Sequence, residues 1–267
     1  MSRTPTQPAI RVDVDLTNPG QFFACCGLLE LADRLWTSAA GWFEQGQFCI
    51  AADRAPAKAL SGLLQSLVET DMVALEPTEP TISPLKLEGK FVLRLDWWLD
   101  ERAGGTTYKT WAGQQKVLTI ASAMHRAMGR AMFHDSRLFD FAEIVPDPES
   151  PKQSVAPFYF DARRAAGALN LDVGFSTDAQ AIETLSFPTV EFLCLVGLQR
   201  FRPQANSNRT FTYFAWSKDT PLVPSVAASV ACGAAPLPST ESFTFRLLFR
   251  TKYLKGFLPA TSQGATA

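Results

Sequence analysis

Basic residues recur along one predicted helix in a pattern that suits phosphate binding. Residues 108–134 have helical periodicity, with apolar side chains such as Ile120, Met124 and Met128 on one face. At about 100° per residue, a second stripe about 100° wide carries the cations Lys109, Lys116, Arg126 and Arg130. Such a row can neutralise the phosphates of a nucleic-acid backbone. A solvated helix face that binds nothing is the alternative.

The residues at the start of this helix could contact bases. Tyr108 and Trp111 offer aromatic rings on which bases could stack. Gln114 and Gln115 offer amides that could bond to base edges or sugars. We therefore expect Trp111, Gln114 and Gln115 to contact bases or sugars. A tryptophan beside Gly113 could equally be a packing anchor.

A second basic segment covers residues 199–218, QRFRPQANSNRTFTYFAWSK. Its arginines alternate with aromatic side chains in an Asn-rich loop, a composition typical of proteins that grip single-stranded nucleic acid. We expect Arg209 to contribute to such binding. A polar turn between a helix and a strand is the alternative interpretation.

A third cationic point is the pair Arg163 and Arg164, which follows an aromatic run at 158–160. We expect both arginines to help bind phosphates. Asp161 and Asp172 lie close enough in sequence to neutralise them instead, which would make the pair structural.

Signals for an enzyme are weak. The chain has no dinucleotide-binding glycine motif, no phosphate-binding P-loop and no nucleophile elbow. His134 and Asp135 form an HD dipeptide, but the chain has one other histidine and so lacks the ligands that metal phosphohydrolases use. Asp13 and Asp15 share one face of a predicted strand and leave a metal-dependent nuclease open. We predict no catalytic residues, no metal and no cofactor.

The elements that would position these residues alternate between strands and helices. In residues 1–100 the pattern predicts a βαβαβ-like half, with strands at 10–16, 46–52 and 90–98 and helices at 21–36 and 55–70. In residues 101–267 it predicts the long basic helix, a buried helix at 188–200, and strands at 210–216 and 242–250. We expect an α+β fold with a mixed sheet and packed helices. The two halves are expected to form one compact unit.

Composition limits the class of protein. The chain has 267 residues, of which 46% are hydrophobic and 19% charged, so it is too apolar for disorder. It has no apolar run long enough for a membrane span and no signal-peptide pattern, which predicts a cytoplasmic protein without membrane contact. Five cysteines without a CxxC motif indicate buried, reduced thiols.

The formal net charge of −1 conceals an asymmetry between the two halves. Residues 1–100 carry 8 Lys and Arg against 13 Asp and Glu, a net of −5. Residues 101–267 carry 17 against 13, a net of +4, and the stretch 242–267 holds four cations and no acid. Local patches, rather than the global charge, therefore favour nucleic acid as a partner.

Three strings in the chain resemble segments of one CRISPR-associated family. They are 15–36 (DLTNPGQFFACCGLLELADRLW), 107–116 (TYKTWAGQQK) and 158–175 (FYFDARRAAGALNLDVGF). The family is the small protein of type I-U (also called I-G, Dpsyc-type) CRISPR–Cas loci, a compact counterpart of the Cascade large subunit. The order of the strings suggests that the resemblance extends over the whole length.

The resemblance implies a non-enzymatic subunit of an antiviral effector complex. Its partners would be other effector subunits and guide RNA, target DNA or both, with sequence read by base pairing and the protein reading backbone shape and a short flanking motif. This chain is much smaller than most Cascade large subunits and slightly acidic. Two alternatives remain open: an assembly subunit that contacts only proteins, and the nuclease that would use Asp13 and Asp15.

Overall fold

A computed structural model describes residues 7–111, 115–131, 134–164, 183–206, 209–235, 237–249 and 255–262. The helices are α1 (Pro19–Leu35), α2 (Ala59–Val68), α3 (Gly105–Tyr108), α4 (Val117–Met128), α5 (Pro188–Gly197) and α6 (Pro224–Ala231). The strands of the first half are β1 (Ile10–Asp13), β2 (Thr37–Glu44), β3 (Gln47–Asp53), β4 (Asp71–Ala74), β5 (Leu85–Glu88) and β6 (Val92–Leu95). The remaining strands are β7 (Glu143–Ile144), β8 (Leu185–Ser186), β9 (Gln204–Ala205), β10 (Thr210–Ala215), β11 (Glu241–Phe249), β12 (Lys255–Phe257) and β13 (Thr261–Ser262).

Helices α1 and α5 pack against each other at the centre of the molecule. Helix α1 begins at Pro19 because the Asn18 side chain accepts the backbone N–H of Gly20 at 3.1 Å and Pro19 supplies a preset φ. The two helices touch at Gly27 and Gly197. A Cβ at Gly27 would lie 2.2 Å from the Leu193 carbonyl oxygen, so the backbones meet where no side chain fits. The predicted burial of both helices is confirmed.

The N-terminal half differs from the predicted βαβαβ order. Strand β2, which the sequence pattern did not indicate, follows α1 and returns through a two-residue turn into β3. Gln45 and Gly46 in that turn have φ of 50° and 76°, the left-handed pair that a tight hairpin needs. Strand β1 then pairs antiparallel with β3, which gives the sheet order β1-β3-β2. The order therefore begins βαββα, with one strand more than the expected βαβα.

The strands of the described residues form four small sheets in place of one mixed sheet. Besides β1-β3-β2 these are β4-β5-β6, the pair β7-β8, and β12-β11-β10-β9 with β13 also on β11. Their ladders are antiparallel, and one isolated parallel bridge joins Phe43 to Ser217. The chain is an α+β protein and forms one compact unit, as expected. A single cluster of buried apolar side chains includes members from both halves.

The predicted burial of the cysteines is confirmed for four of the five. Cys25, Cys26, Cys49 and Cys194 are buried and Cys232 is partly exposed, all as free thiols. Burial raises the pKa of Cys25, Cys26 and Cys194 well above 9.0, so these three behave as small apolar side chains. Among the helices described, none combines the length and apolar content that a membrane crossing requires.

Candidate nucleic-acid interface

The basic helix predicted over 108–134 is shorter than expected. Helix α3 ends at Tyr108, and α4 begins at Val117, where the backbone N–H donates to the Pro80 carbonyl at 3.1 Å. Lys116, with extended φ and ψ, precedes the first turn of α4. Of the four cations predicted on one helix, only Arg126 lies within α4; Lys116 precedes it, Arg130 follows it, and Lys109 lies after α3. The burial of Tyr108, at the end of α3, and of Trp111, which follows it, outweighs the helical pattern of this segment.

The rings expected to stack on bases are part of the core. Trp111 is 3% exposed, and its indole N–H donates to the Thr81 carbonyl at 2.9 Å. Its ring lies 5.3 Å from that of Trp98. Tyr108 is fully buried and stacks on Trp97 at 5.2 Å. The prediction that Trp111 contacts bases is therefore wrong, because packing leaves no ring face for a base.

Helix α4 presents the predicted apolar face to the core. Val117, Met124 and Met128 are each at most 3% exposed. Lys116, Arg126 and Arg130 are exposed, but Arg130 donates to Glu143 at 2.6 Å. Acidic side chains from the proline-rich loop at 145–157 also face these cations. Asp147 lines a cavity with Arg126 and Arg130, and Glu149 lines the neighbouring one with Lys116.

Arg163 has a structural role. Its guanidinium donates to Asp161 at 2.7 Å and to the Phe139 carbonyl at 2.8 Å, and lies 3.5 Å from the centre of the Phe187 ring. The pairing with Asp161 that the sequence left open does form, which favours a structural role; phosphate binding by Arg163, whose side chain is 32% exposed, stays a prediction. The side chain of Arg164 and all of Gln114 lie outside the described residues. Gln115 is partly exposed just before α4.

The three strings that carry the family resemblance meet in the structure. The Asn18 amide donates to Asp161 at 2.9 Å and accepts the backbone N–H of Ala162 at 3.1 Å, which joins the first string to the third. The Trp111 ring lies 5.0 Å from that of Phe158, which joins the second to the third. A Cβ on Gly20 would lie 2.3 Å from the Phe160 carbonyl oxygen. The described residues of these strings therefore meet in one packed junction.

Beside this junction three cations from distant segments converge. Lys255 donates its backbone N–H to the Thr110 carbonyl at 2.9 Å and its Nζ to the Thr107 carbonyl at 2.8 Å. This places Lys255 next to Lys109, whose Nζ lies 5.1 Å from the centre of the Trp111 ring. Arg209, exposed at the start of β10, completes what we call the cation cluster: Lys109, Arg209 and Lys255.

The pKa values of both lysines in the cation cluster are lowered, first by burial and then by a neighbouring positive charge. Burial lowers the pKa of Lys109, and the charge of Lys255 lowers it further. Burial likewise lowers the pKa of Lys255, and the charge of Arg209 adds to that effect. Each lysine ammonium is thus less stable in the fold than in water. An anion placed among the three charges would relieve that strain, as a phosphate does at a basic site.

Sequence reasoning nominated two of the three members, Lys109 and Arg209. It did not nominate Lys255, although the absence of acidic residues from 242–267 was the signal that could have identified it. Arg209 adopts a φ of 59° just before β10, and Thr210 pairs with Arg246 of β11. Lys255, the first residue of β12, pairs with Phe249, so β10 and β12 both begin near the C-terminal end of β11, on its two edges.

The carboxylates considered for a nuclease are engaged locally. Asp13 accepts the Gln47 amide at 2.7 Å, and Asp15 accepts the backbone N–H and hydroxyl of Thr17 at 2.8 and 2.6 Å. His134 lies just before Asp135, whose carboxylate accepts from Arg137. Across the ranges that the structure describes, no three His, Cys, Asp or Glu side chains form a group that could hold a metal ion.

The comparisons with known proteins add nothing to this picture. Neither the models of known families, nor the curated proteins, nor the solved structures contain a match to this chain.

Proposed function

We propose that this chain binds nucleic acid as a non-catalytic subunit of a type I CRISPR effector complex, contacting guide RNA, target DNA or both. The observation that carries the nucleic-acid part is the cation cluster. Lys109, Arg209 and Lys255 come from three segments, and the bonds of Lys255 to Thr107 and Thr110 hold it beside Lys109. The CRISPR part rests on the three resembling strings and is supported by their meeting in one junction next to the cluster.

The expected chemistry is the neutralisation of backbone phosphates. Lysine and arginine side chains bind backbone phosphates without distinguishing the bases. The affinity for nucleic acid should therefore fall steeply with salt and vary little with nucleotide sequence. The burial of Tyr108 and Trp111 agrees with binding through phosphates alone, because neither ring is exposed to stack on a base. Guide pairing would supply the sequence specificity of the complex.

A double variant tests the cation cluster. Replacing Arg209 and Lys255 together by glutamine should weaken the binding of a labelled oligonucleotide and lower the salt slope of log K by about two, one unit per phosphate contact. Filter binding across a salt titration measures both quantities. The matched control replaces Lys90 and Arg137, which are 60% and 56% exposed and paired with Glu69 and Asp135. Equal slopes for the two double variants would contradict the proposal.

Assembly is a second readout of the same variant. Co-expression with the other subunits and the guide RNA of a type I-U locus should yield a complex that contains this chain. The double variant should join the complex but retain less RNA at moderate salt. A parent chain that joins no such complex would remove the CRISPR part of the proposal and leave the binding part standing.

One structural observation favours the alternative of an assembly subunit that contacts only proteins. Arg130 and Arg163 are paired with Glu143 and Asp161, so part of the basic surface is already neutralised. Under that alternative the purified chain would show no salt-sensitive nucleic-acid binding while still joining the complex. Metal-dependent cleavage by the pure protein, abolished by Asp13→Ala, would instead support a nuclease.

A further inference from the structure

Three arginines from different elements surround a cavity on the surface beside α1. The cavity has a volume of about 330 Å³ and is lined by Glu30, Arg34, Leu93, Arg94, Gln199 and Arg200. Arg34 is in the last turn of α1, Arg94 is on β6, and Arg200 follows α5. We call this set the arginine pocket. None of its arginines belongs to the cation cluster.

A buried carboxylate holds two of these guanidinium groups in place. Glu30 is 3% exposed and accepts Arg200 Nε at 2.5 Å and Arg34 Nη2 at 2.7 Å. Arg34 also donates Nη1 to the Val92 carbonyl at 2.9 Å. The carboxylate raises the pKa of Arg200, so this arginine remains charged. Fixing the side chains in advance reduces the entropy that a bound anion would otherwise have to remove.

The pocket retains donors for a ligand. Within the described part of the chain, Arg94 bonds to Asp96 through Nε, and Arg200 bonds to Glu30 through Nε and Nη2. Both Nη groups of Arg94 and Nη1 of Arg200 have no protein acceptor there. Two such guanidinium groups suit the oxygens of a phosphate, which accept paired N–H donors. Asp96 is further bonded to the Gln199 amide at 2.9 Å, and Asp33 lies nearby.

The arginine pocket is connected to the cation cluster through neighbouring residues. Arg202, two residues after Arg200, donates to the Gln199 carbonyl at 3.2 Å and pairs with Asp100 at 3.3 Å. The Asp100 carbonyl accepts the first N–H of α3, at Gly105, at 2.8 Å, and α3 ends next to Lys109. Arg202, which is 18% exposed and paired with Asp100, therefore links the pocket to the segment that leads to Lys109.

We propose that the arginine pocket is a second phosphate site, and that one nucleic-acid strand runs from it past Arg202 to the cation cluster. This inference rests on the proposed function, because it extends the same ligand to a further contact. It assigns Arg94 and Arg200 the role of binding a phosphate by charge-assisted hydrogen bonds. Glu30 is then a positioning residue that orients Arg34 and Arg200.

The test uses single-stranded oligothymidylates of about 6 and about 20 nucleotides, lengths that cover one site and both sites. The parent should bind the long oligonucleotide more tightly. Arg94→Gln should weaken binding of the long oligonucleotide roughly tenfold and lower its salt slope by about one, with the short one unaffected. Asp96 keeps its bond to Gln199, so Arg94→Gln should melt near the parent temperature. Arg137→Gln removes a similar pair with Asp135 and is the matched control.

The outcomes separate the two proposals. Equal loss in Arg94→Gln and Arg137→Gln, or no loss in either, would overturn the arginine pocket and leave the cation cluster intact. Sensitivity to Arg94→Gln, without sensitivity to replacement of Arg209 and Lys255, would support the pocket and overturn the cluster. Failure of both oligonucleotides to bind the parent would overturn both.

Discussion

Glu191 and Asp161 are two fully buried carboxylates whose surroundings differ. Asp161 accepts Arg163 Nη2 at 2.7 Å and the Asn18 amide at 2.9 Å, so a cation compensates its charge. Glu191 has no such cation among the contacts of the described residues; it accepts the backbone N–H groups of Phe160 and Asp161 at 3.2 and 3.0 Å. Burial raises the pKa of Glu191 from 4.5 to about 8. Glu191 is therefore protonated in the folded chain at neutral pH.

This shift predicts how stability depends on pH. The unfolded chain releases the Glu191 proton near pH 4.5 and the folded chain only near pH 8, so the folded state holds more protons in between. The contribution of Glu191 to the free energy of unfolding therefore falls as pH rises from about 4.5 to about 8, by up to about 1.4 kcal/mol per unit. Above pH 8 it is constant.

Glu191→Gln isolates that effect from the other titrating groups. The amide does not ionise, so the difference in stability between parent and variant should change in favour of the variant as pH rises from 5 to 8. At pH 5 the variant should be the less stable of the two, because an amide NH₂ would face a backbone N–H of Phe160 or Asp161. Urea unfolding at several pH values measures the difference. A difference that does not vary with pH would show that Glu191 is ionised in the fold.

Residue types alone could not separate binding from packing. Lys109 and Trp111 lie two positions apart in one string, yet Trp111 is core and Lys109 belongs to the cation cluster. For Arg163 the sequence offered both phosphate binding and pairing with Asp161. The structure shows that the pair with the buried Asp161 forms. Such distinctions depend on tertiary contacts, which the sequence pattern does not contain.

At the scale of elements, the crossing of α1 and α5 depends on two glycines. A Cβ at Gly197 would lie 1.9 Å from the Phe23 carbonyl oxygen, a backbone atom that cannot move aside without displacing a helix. Gly197→Ala should therefore lower the free energy of unfolding by at least about 3 kcal/mol. Gly62→Ala in α2 is the control, because the new Cβ would have Pro56 as its nearest neighbour, at 3.7 Å. That control should stabilise by about 0.5–1 kcal/mol, and chemical denaturation measures both. A Gly197→Ala variant as stable as the parent would show that the helices are further apart.

The elements that the sequence predicts best are those with a long one-sided or fully apolar pattern. The burial of 21–36 and 188–200 follows from composition, and both helices were found within a few residues of their bounds. Strand β2 was not predicted because apolar and polar residues do not alternate strictly in TSAAGWFE. The sequence feature that indicates this strand is the turn at Gln45 and Gly46. The helix predicted over 108–134 was too long because aromatic burial interrupts it.

For the whole molecule, the shared core predicts a single unfolding transition. Cys25, Cys26 and Cys49 lie in the first hundred residues and Cys194 beyond them, and all four are buried. A thiol-reactive dye should label Cys232 in the native protein. The other four cysteines should become reactive together, in a single unfolding transition as the denaturant concentration rises. Mass spectrometry of labelled peptides measures this order. Labelling of Cys194 at a lower denaturant concentration than Cys25 would indicate two independently folding halves.

The candidate site could be predicted only in part because it exists only in three dimensions. Lys109, Arg209 and Lys255 share no helix face and no strand, and their meeting depends on the bonds of Lys255 to Thr107 and Thr110. Periodicity detects neighbours along one element, so it favoured the stripe on α4, where Asp147 and Glu143 oppose the cations. The charge asymmetry between the two halves pointed to residues 101–267, where the three members of the cation cluster lie.

The assembly of the cation cluster from distant segments couples ligand affinity to folding. Lys109 and Arg209 are 100 residues apart in the chain, and Arg209 and Lys255 are 46 apart. In the unfolded chain these charges are scattered, so a nucleic-acid strand cannot contact all three at one site. On the proposed function, nucleic acid at a hundred times its Kd would add about 2.7 kcal/mol to the free energy of unfolding. Bound strand would then protect the protein from proteolysis. Chains released from their ligand would be the first to be degraded, which would match the abundance of this subunit to that of its nucleic acid.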